Sequence, residues 1–225
     1  MNRYIRQEVL EEIGVSGQEK IRNAKVAVIG AGGLGGVSAE LLVRAGVGSL
    51  LLVDKDVVSL VDIHRQFSFK EDDVGKFKVF VLKDYLSSVN SDVSISVVED
   101  FLSDGNADVL SDFDLVLDCT DNMLARRVID KFCSFSGKPW IHAAASGVKG
   151  NVLVIREGGV FDKFFRSCEC FDDCANVGVL NCLPSLISSI QVSQALRLIL
   201  GEEPCKGLIR INLWDSSFEV FNVKN

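Results

Sequence analysis

Apolar runs of five or six residues alternate with amphipathic stretches along most of the chain. Lys25–Gly30 is apolar and rich in β-branched residues, which predicts a strand. It ends in glycines and passes into Leu34–Ala45, which predicts a helix, and Ser49–Asp54 predicts the next strand. Together these form one βαβ unit. Upstream, Ser16 stands three residues before Glu19, the spacing of a capping box, so a helix is predicted from there to Asn23. Asp54–Phe67 is polar, irregular and too long for a simple connection, and long ordered loops in compact domains are usually functional. Glu71–Ser88 then predicts a helix with Gly75, Lys76 and Lys78 near its start. Val93–Val98 alternates like a strand, and Asp114–Asp118 is a short buried one. Asp121 or Asn122 would cap a helix running to Phe135, and Lys138–Ala143 is a further strand.

Beyond Gly147 the alternation stops. Gly150–Arg156 predicts a strand with no helix after it, and Gly158–Asn176 reads as irregular. Leu183–Leu200 is helical, with Gly201 as its C-terminal stop. Leu208–Trp214 and Ser217–Val223 predict a hairpin across Asp215 and Ser216. The fold class is therefore α/β and Rossmann-like: a mostly parallel central sheet with antiparallel C-terminal strands. No linker composition or repeat divides the chain, so residues 1–225 are read as a single domain.

Composition narrows the function. The 225 residues are 48% hydrophobic, enough for a well-buried sheet. The formal net charge of −7 argues against a broad nucleic-acid surface, so an anionic ligand must be held by a few local cations. Met1–Ile5 is polar and lacks the apolar core of a secretory leader. The apolar stretch Leu180–Leu200 is interrupted by Asn181, Pro184, Gln191, Gln194 and Arg197, and reads as a buried helix, not a membrane span. Seven cysteines without a secretion signal fit a reducing cytoplasm.

The chemistry gathers around the first strand. Gly30, Gly32 and Gly35 have the G-x-G-x-x-G spacing of a phosphate-binding turn, with Gly33 inside it. Backbone N–H groups at the following helix start would face an anion. Asp54 ends the second strand, where a carboxylate accepts hydrogen bonds from a ribose. Ligands of open α/β sheets sit beyond the strands' C-terminal ends. The glycine turn, Asp54, the loop carrying Arg65, and Asp121 all fall on that rim, and Lys78 is within reach of it. Each has a plainer reading: a tight turn, a strand-end cap, solvated surface, a helix N-cap. A dinucleotide alone needs no such cluster; chemistry at a phosphate does, because cations offset phosphate charge and a carboxylate can position Mg²⁺.

At this point the chain resembles the MoeB/ThiF family, adenylating enzymes related to ubiquitin-activating enzymes. The resemblance rests on an ordered set of motifs: Arg3-Tyr4-x-Arg6-Gln7, Gly30-Ala-Gly-Gly-Leu-Gly35, Asp54-x-Asp56-x-Val58, Arg65-Gln66-Phe67, Gly75-x-x-Lys78, Asp118-x-x-Asp121-Asn122 with Arg126 or Arg127 following, and Cys174-Ala-x-x-Gly178-Val-Leu. It implies binding of ATP and Mg²⁺ and adenylation of the C-terminal glycine of a small ubiquitin-like sulfur carrier protein ending in Gly-Gly, as in thiamine or molybdopterin biosynthesis. By motif match Asp54 would hold the ribose, Arg65 and Lys78 the phosphates, and Asp121 the Mg²⁺. Gly33, Asp56, Asp62 and Gln66 stand in the same matched stretches as nucleotide contacts. Arg6 matches an arginine that reaches into the partner's site in the family's dimers, which implies a homodimer. Cys174 matches a cysteine that takes part in thioester or persulfide chemistry in some relatives, with a sulfurtransferase as a further partner; its plainer reading is a loop thiol.

Two departures stand out. Where the family usually has Ser-Asn-Leu, this chain has Val61-Asp62-Ile63, an acid that would repel a polyanion unless Mg²⁺ or Arg65 neutralises it. Many members bind structural zinc with two Cys-x-x-Cys pairs; here a zinc set would have to be drawn from Cys168, Cys170, Cys174 and Cys205. Two other functions share part of the pattern. An NAD-dependent oxidoreductase would use the glycine turn and Asp54 but leaves Arg65, Lys78 and Asp121 unexplained. A non-catalytic nucleotide- or carrier-binding relative would account for Asp62. Cys119, Cys133 and His142 read as core or structural, as does His64.

Overall fold

The structure is a computed structural model that describes residues 2–165 and 177–222. Two N-terminal helices, α1 (Ile5–Glu8) and α2 (Gly14–Asn23), precede strand β1 (Lys25–Ile29), helix α3 (Gly33–Ala45) and strand β2 (Ser49–Val53). Helix α4 (Lys78–Val89), β3 (Ser94–Val98), β4 (Leu115–Asp118), α5 (Met123–Ser136), β5 (Trp140–Ser146) and β6 (Lys149–Ile155) follow. Then come α6 (Val160–Phe165), α7 (Leu183–Leu200), β7 (Leu208–Asn212) and β8 (Ser217–Phe221).

The strands form one eight-stranded sheet in the order β3-β2-β1-β4-β5-β6-β7-β8. Pairings from β3 through β5 are parallel, and those from β5 to β8 antiparallel. The apolar runs explain this. In β1, Val26 and Val28 enter a core cluster with α3, α4 and α7, while Ala27 and Ile29 enter the opposite one with α5 and α6. A strand buried on both faces needs no polar alternation, which is why it reads as a continuous hydrophobic run. Helix α7 packs on α3, β5 and β6, so this long apolar helix has its buried face in the core. The strand order reverses between β1 and β4. At such a switch point the connections leave to opposite sides and open a crevice at the strands' C-terminal ends.

Three local expectations are corrected. Ser16 does not start α2: Ile13 N–H already donates to Leu10 O and Gly14 N–H to the same carbonyl, so the chain enters coiled and the helix begins at Gly14. Glu71–Ser88 is not one helix. A short 3-10 turn at Glu71–Asp73 ends at Gly75 (φ +86°), and Val58 N–H donates to Lys76 O while Gly75 N–H donates to Val58 O. That pairing holds 74–76 in a tight turn, so α4 starts only at Lys78. The stretch from Gly158 is not wholly irregular, because α6 forms and buries Phe161 and Phe165 beside Trp140 and His142.

Candidate nucleotide site

The glycine turn divides its labour. Gly30 has φ +93°, and a Cβ there would stand 2.7 Å from the Cys119 carbonyl oxygen. A Cβ on Gly35 would stand 1.7 Å from the Gly30 carbonyl oxygen, so no side chain fits between α3 and the turn. These two are demanded by packing. Gly32 and Gly33 instead line the cleft at the switch point; the nearest side chain to a Cβ on Gly32 is Gln66, at 3.5 Å. Their missing side chains leave the backbone open to a ligand.

Asp54 closes the turn. Its carboxylate accepts from Ala31 N–H at 2.6 Å and from Asp56 N–H at 2.8 Å. Burial pushes its pKa up, against the pull of those two N–H groups and of Lys78. Each oxygen keeps a lone pair free for a second donor, the requirement for gripping a diol.

The loop after β2 folds around Asp62. A 3-10 turn at Leu60–Asp62 buries this side chain, which accepts from Ser59 N–H at 3.1 Å and from Gln66 Nε2 at 2.9 Å. Arg65 Nη2 lies 3.3 Å from Asp62 Oδ1, and Nη1 donates to Val61 O at 2.9 Å. Lys78, the first residue of α4, is only 6% exposed, with Nζ 3.5 Å from Asp62 Oδ2 and 3.6 Å from Asp56 Oδ2. The acid expected to repel a polyanion thus sits between both candidate phosphate-binding cations. Gln66 Oε1 is buried without a hydrogen-bond partner in this same wall of the cleft.

Across the cleft, β4 ends in a charged cluster beneath the surface. Asp118 is fully buried and accepts from His142 Nδ1 at 2.7 Å and from Thr120 Oγ1 at 2.6 Å, with Arg126 Nε at 3.4 Å. Arg126 Nη2 donates to Thr120 O at 2.7 Å. The strand end and the first turn of α5 are thereby clamped together. Asn122, not Asp121, caps α5, accepting from Ala125 N–H at 2.9 Å. Asp121 is left exposed at the cleft mouth.

Burial opposes charge on both members of the Asp118–His142 pair. The His142 hydrogen bond and the Arg126 guanidinium nevertheless hold Asp118 below the usual carboxylate range. Burial holds His142 below the usual imidazole range, so the cluster is an ionised acid, a neutral imidazole and a guanidinium. An unfolded histidine takes up a proton near pH 6.5, and the buried one does so only lower. Stability therefore falls as pH drops below about 6.5, by up to about 1.4 kcal/mol per pH unit while only the unfolded chain is protonated. Asp118 adds a loss in the same direction at lower pH. Asp54, held high, works the other way just above the ordinary carboxylate range. The expected result is an apparent Tm that declines from about pH 6.5 downward, and a flatter profile for His142→Gln.

The structure brings Gly30, Gly32, Gly33, Asp54, Asp56, Asp62, Arg65, Gln66, Lys78 and Asp121 around one cleft of about 620 Å³. Gly35 sits behind the turn. Arg6 is elsewhere: it is exposed on α1, which is pinned to the C-terminal end of α3 by Gln7 donating to Ala45 O, and α3's thirteen residues span about 20 Å. Cys168, Cys170 and Cys174 lie outside the described residues. Cys205 is half-buried, and among the described residues no three His, Cys, Asp or Glu side chains are grouped to hold a metal. Cys119 and Cys133 are buried; burial pushes the Cys133 thiol up to about 12 and Cys119 further still. The amino-acid order alone does not separate Arg126 from Arg127 and assigns Asp118 no role. Helical spacing carried the signal: Ala125, Arg126, Ile129 and Cys133 share the buried face of α5, and a buried arginine there requires a buried acid.

A parallel sheet that reverses order at a glycine turn, with an acid ending the next strand and cations lining the cleft, defines a Rossmann-like α/β protein. The chain belongs to the ThiF family, whose profile matches residues 4–225. It is 36% identical over 207 residues to the adenylyltransferase and sulfurtransferase MOCS3 of Culex quinquefasciatus, covering 89% of this chain but 47% of that protein. The chain thus spans about half of that relative's length. It is 34% identical to the sulfur carrier protein ThiS adenylyltransferase of Escherichia coli K12, covering 93% of this chain and 85% of that one. A crystal structure of E. coli MccB with succinimide shares the fold, with a TM-score of 0.86 at 22% identity over 99% of this chain and 72% of that one.

Proposed function

We propose that this chain uses ATP to adenylate the C-terminal carboxylate of a small ubiquitin-like sulfur carrier protein ending in Gly-Gly. The carrying observation is the convergence of Lys78, Arg65, Asp54 and Asp121 on the cleft floored by Gly32 and Gly33. The relatives named as adenylyltransferases of sulfur carriers support the same reading.

The reaction sets an anion against an anion. The carrier carboxylate forms a bond to the α-phosphorus, the bond from that phosphorus to the bridging oxygen breaks, and pyrophosphate leaves. The attacking group is already ionised at neutral pH, so no general base is needed. Catalysis then rests on position and fixed charge. Asp54 takes the ribose hydroxyls, the N–H groups at the start of α3 face the phosphates, and Arg65 and Lys78 offset the charge on the departing pyrophosphate. Asp121 fits an Mg²⁺ that arrives on the triphosphate, since that ion commonly takes one or two protein carboxylates and completes its shell with phosphate and water. Bound there, it would neutralise phosphate charge. Arg6 cannot serve the cleft of its own chain from the far end of α3, so it would act in a second copy of a homodimer.

Ligand-dependent unfolding separates this from the oxidoreductase reading. Mg-ATP at a hundred times its Kd stabilises by about 2.7 kcal/mol, a Tm rise of roughly 5–10 °C for a chain this size. Protection by NAD and not by Mg-ATP would favour the dehydrogenase instead.

A further inference from the structure

The departure at Asp62 is built into the site, not tolerated at its edge. Its carboxylate is the shared neighbour of Arg65, Lys78 and Gln66, and is itself 7% exposed. Neither cation is locked to it: the closest approaches are 3.3 Å and 3.5 Å, longer than charge-assisted hydrogen bonds of about 2.8 Å. Lys78 has its other carboxylate, Asp56, at 3.6 Å. Among the described residues the cleft is lined by four acidic and four cationic side chains, so the resident charges cancel before any ligand enters. An amide at position 62 would leave that lining with one net positive charge.

The geometry points to Asp62 as a resident counter-anion, a positioning residue that holds Arg65 and Lys78 in place in the free protein and competes with the nucleotide's outer phosphates for them. This rests on the adenylation reading for placing phosphates at those two cations. The structure carries two consequences of opposite sign. Removing the charge leaves buried Lys78 with one fewer partner, which weakens the free fold. The same change frees both cations for phosphate, which tightens the nucleotide. A residue that merely shapes the turn would move the first quantity and leave the second alone.

The test is calorimetric titration of wild type, D62N and D62E with AMP, ADP and ATP in the presence of Mg²⁺, with the Tm of each free protein. Asn keeps a carbonyl oxygen to accept from Ser59 N–H. D62N is expected to bind ATP about tenfold tighter, ADP less so, and AMP no tighter, while its ligand-free Tm falls. D62E, which retains the charge, should not tighten ATP. Wild type carries the test by itself should D62N fold poorly: its affinities for AMP, ADP and ATP should lie within about tenfold of one another, and a rise of a hundredfold or more from AMP to ATP overturns the proposal. ATP binding that D62N leaves unchanged or weakens also overturns it while the adenylation reading stands. Failure of wild type and D62N alike to bind ATP, with NAD binding in its place, overturns both.

Discussion

Gly35→Ala is expected to destabilise the protein by roughly 3 kcal/mol or more and to abolish nucleotide binding. The added methyl would stand 1.7 Å from the Gly30 carbonyl oxygen and 3.3 Å from Cys119 Cβ. Backbone cannot rotate out of the way as a side chain can, so the start of α3 must lift from the end of β1. That displaces the N–H groups that would face the phosphates and the contact between Ala31 and Asp54. Gly32→Ala is the control, since its nearest neighbour within 4 Å is the end of the Gln66 side chain at 3.5 Å. It should fold normally and lose nucleotide affinity. Urea unfolding followed by ATP titration distinguishes them; a Gly35→Ala protein with wild-type midpoint and affinity would mean that the turn is not built as described.

Lys78→Met should lower the rate of adenylation by about 10²–10³-fold, the usual cost of losing one preorganised charge at a reacting phosphate. Methionine nearly matches the apolar stem, and Asp62 keeps Arg65 and Gln66 as partners, so the fold should survive. The loss should appear in kcat as well as in kcat/KM, because charge builds up on the leaving pyrophosphate between the bound ground state and the transition state. A fall of less than tenfold would remove Lys78 from the phosphate wall.

Much of this site is legible in the amino-acid order because its parts obey local rules. A strand buried on both faces writes itself as an unbroken apolar run, and the turn after it must be glycine where helix and strand nearly touch. That placed Gly30, Gly35 and Asp54 from spacing alone. The break at Gly75 was not legible. Glu71–Ser88 has helical composition, but the pairing of Val58 with residues 75 and 76 is a contact between distant stretches, and tertiary pairing overrides propensity. The true start of α2 was hidden similarly, since a tight turn at Leu10–Ile13 feeds the helix where a polar cap was expected. The pairing of Asp62 with two cations was half visible: neighbouring opposite charges suggest a contact, but Lys78 joins only because its helix begins at that residue. The Asp118–His142–Arg126 cluster combines residues from β4, β5 and α5, and such a triad appears only once the strands are in register, with Asp118 opposite His142.

The most direct test of the whole account is ATP–pyrophosphate exchange by the purified protein, with a ubiquitin-like carrier ending in Gly-Gly supplied, set beside Arg65→Ala. Label is expected to enter ATP only when both the carrier and its terminal glycine are present, with a loss of about a hundredfold or more in the variant. Exchange that ignores the carrier's terminus, or an Arg65→Ala protein as fast as wild type, would contradict it.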